Sequence, residues 1–270
     1  MFKTRVPNLL KTTLLLSAMA ALAPSAQAQA FDVVRLYGAS VATDTGTVGG
    51  AFVAGRQYAG SREHRYMLVP LIDYQWKSGW FAGTLNGIGY DFSRRPDMNY
   101  GLRLTADLGR LEERSVALRG LGDIDIRPEA GAFFNYYVSP QVALTSSLRY
   151  GSGNERSGMV IDIGAAYSAM LAPQWRVGLG VTGSYVNADY MQAYFGVTPT
   201  QSARSGYAIT TPSAGLRDIR ASAALTYLIS PRVSVTTGVS ASSLLGDAKD
   251  SPLLRERNAV SGLVSVLYRF

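Results

Sequence analysis

The sequence predicts an all-β fold, a closed antiparallel transmembrane β-barrel of about twelve strands, and three observations indicate it. Segment after segment of the 270-residue chain alternates apolar and polar residues, which is the period of a strand with two different faces. The connections between these segments are alternately very short and long, as in outer-membrane barrels. Beyond the first 30 residues, no window holds the roughly 18 apolar residues of a membrane helix.

The first 28 residues have the three regions of a cleaved secretory signal peptide, with the alternative cleavage point after residue 30. Lys3, Arg5 and Lys11 form the basic region, an apolar run covers 14–23, and small-x-small patterns follow. We therefore expect an exported protein in which 31–270 is one barrel domain. Without the three leader cations, 23 of the 26 basic residues remain against 19 acidic ones. This net positive charge is too small to indicate nucleic-acid binding.

The alternating segments place twelve strands along the chain, an even number that returns both termini to one side of the membrane. We expect them at 31–41, 48–58, 64–76, 79–90, 97–109, 123–137, 140–151, 157–170, 173–187, 214–229, 232–246 and 258–270. The first four are the least sharply patterned, and ten strands is the alternative count. A soluble β-sandwich is the alternative fold, but its strands usually have about five or six residues.

The turns between these strands predict the orientation of the barrel. Tight turns fall at Ser139-Pro140, Ala172-Pro173 and Ser230-Pro231, and longer connections at 151–158, 188–213 and 247–257. In an outer-membrane barrel the tight turns face the periplasm and the longer loops face outside, where the wall between them meets outer-membrane lipid. The chain ends with Tyr268 and Phe270 on one strand face, and this terminal Phe resembles the signal by which the barrel-assembly machinery recognises its clients.

The polar strand faces predict a charged lumen in which five cations meet six anions. The inward residues are Arg103, Asp107, Asp123, Asp125, Arg127, Glu129, Arg149, Asp162, Arg176, Asp218 and Arg220. In a barrel this narrow, long Arg side chains facing carboxylates can cross-link the interior, so we expect a partly filled lumen that conducts weakly. The alternative is that these charges line a water-filled wall.

The long connection 188–213 is the candidate recognition or plug loop. Asp189, Tyr190, Met191, Tyr194 and Phe195 form an aromatic-rich stretch that is unusual in a fully solvated loop and typical of binding surfaces. The alternative is an inward-folded plug, which would use the same residues. Catalysis is not expected, because the only histidine, His64, lies beside charged residues at a strand end and no His/Cys cluster offers a metal site.

The chain resembles the MipA/OmpV family (MltA-interacting protein) over essentially its whole mature length. The matching stretches are 69–76, 119–125, 189–198, 215–218, 244–252 and 267–270. The resemblance implies an outer-membrane scaffold that holds a murein lytic transglycosylase and a bifunctional penicillin-binding protein together during wall growth. It implies no catalytic residue and no cofactor. A surface adhesin or antigen, or a narrow solute channel, is the alternative function.

Overall fold

A computed structural model describes residues 43–270, which form a closed barrel of twelve antiparallel strands. Each strand pairs with its neighbours in sequence, and β1 pairs with β12 to close the wall. The strands are β1 (Thr45–Arg56), β2 (His64–Gln75), β3 (Trp80–Gly83), β4 (Gly87–Asp91), β5 (Met98–Asp107), β6 (Arg127–Tyr137), β7 (Val142–Ser152), β8 (Gly158–Ala172), β9 (Trp175–Val186), β10 (Gly215–Leu228), β11 (Val233–Leu244) and β12 (Asn258–Arg269).

Two α-helices lie in the connection between β9 and β10: α1 (Ala188–Phe195) and α2 (Pro199–Ser205). The Asn187 side chain caps α1 by accepting from the Tyr190 backbone N–H at 3.0 Å, and Thr198 with Gln201 forms a capping box on α2. Short 3-10 helices cover Glu112–Arg114, Val116–Leu118 and Gly246–Asp250. Among residues 43–270, no helix is long and apolar enough to cross a membrane.

The two ends of the barrel differ. One, the loop end, carries the connections 57–63, 84–86, 108–126, 153–157, 187–214 and 245–257. The other, the turn end, carries the connections 76–79, 92–97, 138–141, 173–174 and 229–232 together with the C-terminal Phe270. The expected alternation of tight turns and long loops is therefore present with two exceptions: the 84–86 connection at the loop end is short, and the 92–97 connection at the turn end is longer than the 153–157 loop.

The outer wall is apolar, and an aromatic belt surrounds it at the turn end. Ile163, Leu68 and Leu102 are among the exposed apolar side chains of the wall. The belt includes the ring pairs Trp80 with Tyr90, Tyr90 with Phe92, Trp175 with Tyr227, and Tyr74 with Phe270. An apolar band edged by aromatic residues is the surface that a transmembrane barrel presents to lipid.

The twelve-strand count is confirmed, but two strand boundaries were predicted wrongly. The segment 79–90 is not one strand: the chain reverses at 84–86, helped by the positive φ of Gly87 (72°), and forms the short β3–β4 hairpin. The strand expected at 123–137 begins only at Arg127, because Ile124 forms an isolated bridge with Arg110 that draws the chain into the 108–126 loop. The strand expected at 31–41 lies outside the described residues.

Candidate functional site

Helix α1 closes part of the loop end with one apolar face. Tyr190, Met191 and Phe195 are buried, whereas Asp189 on the opposite face is exposed. The spacing of these aromatic and Met residues places them together on one side of a helix. That side packs onto strand ends and the 246–250 helix, in a cluster completed by Val160, Val186, Leu244 and Ala248. The five predicted loop residues are therefore divided between a packed face and a solvent face.

Tyr194 attaches α1 to the barrel wall through hydrogen bonds. Its hydroxyl lies 2.6 and 2.5 Å from the two carboxylate oxygens of Asp107 at the end of β5. The same carboxylate accepts from the backbone N–H groups of Gly109 and Gly153, and the Arg110 guanidinium donates to the Tyr194 carbonyl. Burial is the main cause that raises the pKa of Tyr194, with Tyr190 and Asp107 adding to it, so the phenol stays protonated as a donor.

Four loops meet in a second apolar cluster at the same end. Tyr58, Leu118, Leu121, Val197 and Leu253 come from four different connections and are all buried. Side chains also join the loops to one another. These hydrogen bonds run from Tyr58 Oη to the Leu253 carbonyl (3.0 Å), from Tyr207 Oη to the Ala117 carbonyl (3.0 Å) and from Gln201 Nε2 to the Leu121 carbonyl (2.7 Å).

The Glu112 carboxylate joins two parts of the 108–126 loop. Both oxygens of Glu112 accept backbone N–H groups, from Gly120 and Gly122, at 2.7 Å each. These two hydrogen bonds hold the pKa of the Glu112 carboxyl below its usual range. Gly120 and Gly122 both have positive φ, which directs their N–H groups to a common acceptor. These two hydrogen bonds therefore hold the residues around Glu112 against the backbone of 120–122.

Buried charged groups span the inner wall near α1. Arg149 contacts Asp162 at 2.9 Å and Glu129 at 3.6 Å, and Ser184 and Ser152 donate to the two carboxylates. A neighbouring set joins three residues of β10. The Asp218 carboxylate accepts hydrogen bonds from Arg217 Nε at 2.5 Å and from the Arg220 guanidinium at 3.2 Å. Arg217 also donates to the Tyr190 hydroxyl at 2.8 Å, which connects these charges to α1.

The structure brings together only part of the predicted lumen network. Glu129, Arg149, Asp162, Asp218 and Arg220 are its buried members. Arg103 is partly buried and donates to the Ser147 hydroxyl, and Arg176 lies apart, towards the turn end of β9. Asp123 and Asp125, expected on the inner wall, lie in the 108–126 loop because the strand starts later.

Arg217 was missed by the sequence pattern. A β-bulge between Leu216 and Asp218 inserts one residue into β10, so Arg217 and Asp218 both turn inward although they are adjacent. Strict alternation assigns them to opposite faces, and nothing in the sequence marks the bulge.

The single histidine and the acidic residues are candidates for reactive or metal-binding groups. The single histidine, His64, is exposed at the loop end of β2. Over residues 43–270, no group of three or more His, Cys, Asp or Glu side chains could hold a metal ion.

Comparisons with solved structures return outer-membrane barrels of low sequence identity. The KdgM porin is 9% identical, with 83% of this chain and 99% of that chain covered and a TM-score of 0.45. An outer-membrane channel from Pseudomonas putida F1 is 11% identical, with 86% and 96% covered and a TM-score of 0.44. Neisserial surface protein A is 11% identical, with 84% and 95% covered and a TM-score of 0.26.

Comparisons with sequence families are more specific. No curated protein matches the chain. The family model described as MltA-interacting protein MipA matches residues 48–270, which include all of the described barrel except the start of β1. The chain therefore belongs to the MltA-interacting protein family.

Proposed function

We propose that this protein is an outer-membrane barrel that works as a non-enzymatic scaffold for the murein machinery. It holds a murein lytic transglycosylase and a bifunctional penicillin-binding protein near each other during wall growth. The family description, which names an interaction with MltA, supports a protein partner. The observation that carries the proposal is the set of exposed tight turns at the end of the barrel expected to face the periplasm, whereas at the other end α1 and four loops pack on one another.

The outer wall of the barrel supports a location in the outer membrane. Its exposed apolar side chains and the aromatic belt at the turn end match the depth pattern of a barrel in lipid. With tight turns on the periplasmic side, the loop end faces outside and the turn end faces the cell wall. Phe270 lies at the turn end, where a terminal aromatic residue would be read by the barrel-assembly machinery during insertion.

The turn end is the surface that periplasmic partners can reach. Gln141, Gln174 and Arg232 are exposed there, one on each of three tight turns. Hydrogen bonds within two of these turns, from the backbone N–H groups of Val142 and Val233 to Ser139 and Ser230, fix their shape. Rigid, exposed turns offer a defined docking rim at little cost in conformational entropy.

Photo-crosslinking in living cells tests this proposal. A photoreactive residue at Gln141, Gln174 or Arg232 should capture a lytic transglycosylase or a penicillin-binding protein, identified by mass spectrometry. The matched control is the same residue at Ile209, which is exposed in the 187–214 connection at the opposite end. If the three turn-end positions capture no wall enzyme while the barrel assembles normally, the scaffold proposal fails.

A further inference from the structure

The loop-end edge of β1 and β2 lies at the level of lipid headgroups. Each of these strands has twelve residues. At about 3.3 Å per residue and a tilt of about 40°, such a strand rises roughly 30 Å, slightly more than the apolar band of about 25 Å. The aromatic belt marks one edge of that band at the turn end, so the opposite ends of β1 and β2 reach its other edge. Side chains at these ends therefore meet headgroups rather than acyl chains.

Two polar side chains continue the outward face of this edge. Phe52 of β1 and Tyr66 and Leu68 of β2 are exposed apolar residues of the outer wall. Because side chains of a strand alternate between its two faces, Arg56 and His64 follow them on the outer side. The two residues are directly opposite each other in the strand pair. A guanidinium and an imidazole therefore lie side by side above an apolar wall.

The β1–β2 connection adds a second guanidinium and fixes the first. Arg56 Nη1 donates to the Arg62 carbonyl at 2.6 Å, which holds Arg56 against the hairpin. The Arg62 side chain is 75% exposed, and its Nε lies 4.0 Å from the Glu256 carboxylate. An exposed ion pair at this distance contributes little, so Glu256 neutralises Arg62 only weakly. Arg56, Arg62 and His64 are called the outward cluster below.

The acidic residue next to His64 in the sequence belongs to the other face. The Glu63 carbonyl accepts the Gln57 backbone N–H at 3.1 Å, so the strand ladder continues for one more pair. In this ladder Glu63 alternates with His64 and follows the inner face. The outward side of the hairpin therefore keeps a net positive charge.

Aromatic and apolar side chains lie directly below the outward cluster. The rings of Phe52 and Tyr66 are stacked, with their centroids 6.0 Å apart and their planes inclined by 13°. The Tyr66 side chain is 65% exposed, and Leu68 beside it is 71% exposed. Aromatic residues at this depth are typical of the membrane interface. The order of donors above an apolar surface matches the order of phosphate and acyl chains in a phosphorylated lipid.

We propose that the outward cluster binds a phosphate group of lipopolysaccharide, the phosphorylated glycolipid of the outer leaflet. An arginine guanidinium binds phosphate through charge-assisted hydrogen bonds, and basic clusters beside a membrane bind anionic lipid headgroups. The acyl chains of the same lipid lie on Phe52 and Tyr66. This inference rests on the proposed orientation, in which the loop end faces outside, and not on the scaffold role.

Native mass spectrometry of the purified protein in detergent measures the binding of diphosphoryl lipid A. Each Arg beside an anionic headgroup favours binding by about fivefold, so Arg56→Gln combined with Arg62→Gln should bind roughly 25-fold more weakly. The matched control, Arg119→Gln combined with Arg204→Gln, removes two exposed cations from loops at the same end and should bind like the unchanged protein. Equal affinities of the two double variants would overturn the proposal.

Three further ligands separate the lipid from its phosphate. Lipid A without its phosphates should bind the unchanged protein as weakly as phosphorylated lipid A binds the variant that lacks Arg56 and Arg62. Inorganic phosphate in excess should not displace lipid A, because it has no acyl chains to contact the stacked rings. Displacement by inorganic phosphate, or binding of phosphatidylglycerol as tight as that of lipid A, would overturn the assignment to lipopolysaccharide.

A photoreactive residue at Tyr66 tests the same placement in living cells. It should link to lipopolysaccharide, whereas the same residue at Ile229, which is exposed at the turn end, should link to phospholipid. Links from position 66 only to phospholipid would contradict the proposal whatever the affinities in detergent. The scaffold test reads capture of wall enzymes at the turn end, so the two proposals succeed or fail separately.

Discussion

The phenolic hydroxyl of Tyr194 lies 2.6 and 2.5 Å from the two carboxylate oxygens of Asp107, a residue 87 positions away in the sequence. This contact joins a helix of the longest loop to the end of a wall strand. Both side chains are partly buried, and without the Tyr194 hydroxyl the Asp107 carboxylate keeps only the backbone N–H groups of Gly109 and Gly153 as donors. The loops at this end are held by specific hydrogen bonds as well as by apolar packing.

We expect Tyr194→Phe to weaken this attachment. Loss of a hydrogen bond to a charged acceptor should lower the free energy of unfolding by about 1.5–3 kcal/mol. The measurement is the temperature at which the barrel loses its folded mobility on a detergent gel. Tyr150→Phe, exposed on the outer wall, is the matched control. Equal unfolding temperatures for the two variants would contradict a role of the Tyr194 hydroxyl.

The Glu112 carboxylate predicts that the 108–126 loop is sensitive to acid. Its pKa is lowered from the ordinary 4.5 by two backbone hydrogen bonds, so its contribution to stability is present above pH 4.5 and is lost as the pH falls through the folded pKa. We expect faster amide exchange at Gly120 and Gly122 at pH 3 than at pH 6, after correction for intrinsic rates. Glu112→Gln should show the fast exchange already at pH 6, whereas Glu113→Gln should not.

Removal of the Arg149 guanidinium should be costly. Arg149→Met leaves Glu129 and Asp162 buried without their shared cation, and losing one partner of a buried ion pair typically costs about 3–5 kcal/mol. Arg176→Met, at a partly exposed position near the turn end, should change stability far less. Urea unfolding in detergent micelles measures both. Similar midpoints would mean that the buried charges are not coupled as their distances indicate.

Period-two alternation was enough to predict most of the wall, because a strand between lipid and lumen must place its side chains alternately. It failed where local backbone geometry breaks the period. The reversal at 84–86 lies inside an apolar stretch that reads as one continuous strand, and the isolated bridge of Ile124 depends on a residue of another segment. The reversal has a local signal, the turn dipeptide Asn86-Gly87, which alternation alone does not take into account. The contact of Ile124 with a separate segment leaves no mark in a local pattern.

The sequence indicated which loop would be packed or would bind, but it did not indicate which residues its side chains contact. The aromatic stretch of 189–195 indicated a packed or binding loop, and the structure shows Tyr190, Met191 and Phe195 packed. The partner of Tyr194 is Asp107, which the sequence assigned to the lumen charges. Arg217 could not be found, because a β-bulge changes side-chain direction without changing composition.

Closure of the loop end makes a prediction about ion conduction. The purified protein in a planar bilayer should show small conductance, because α1 and the buried charges around Arg149 occupy the mouth. Replacing 188–213 with a short Gly-Ser connection should raise it, since β9 and β10 already pair at Val186 and Gly215 and can be joined by a hairpin. Gln174→Ala, at the turn end, should leave conductance unchanged. A large, stable conductance of the intact protein would show that the loops do not block the lumen.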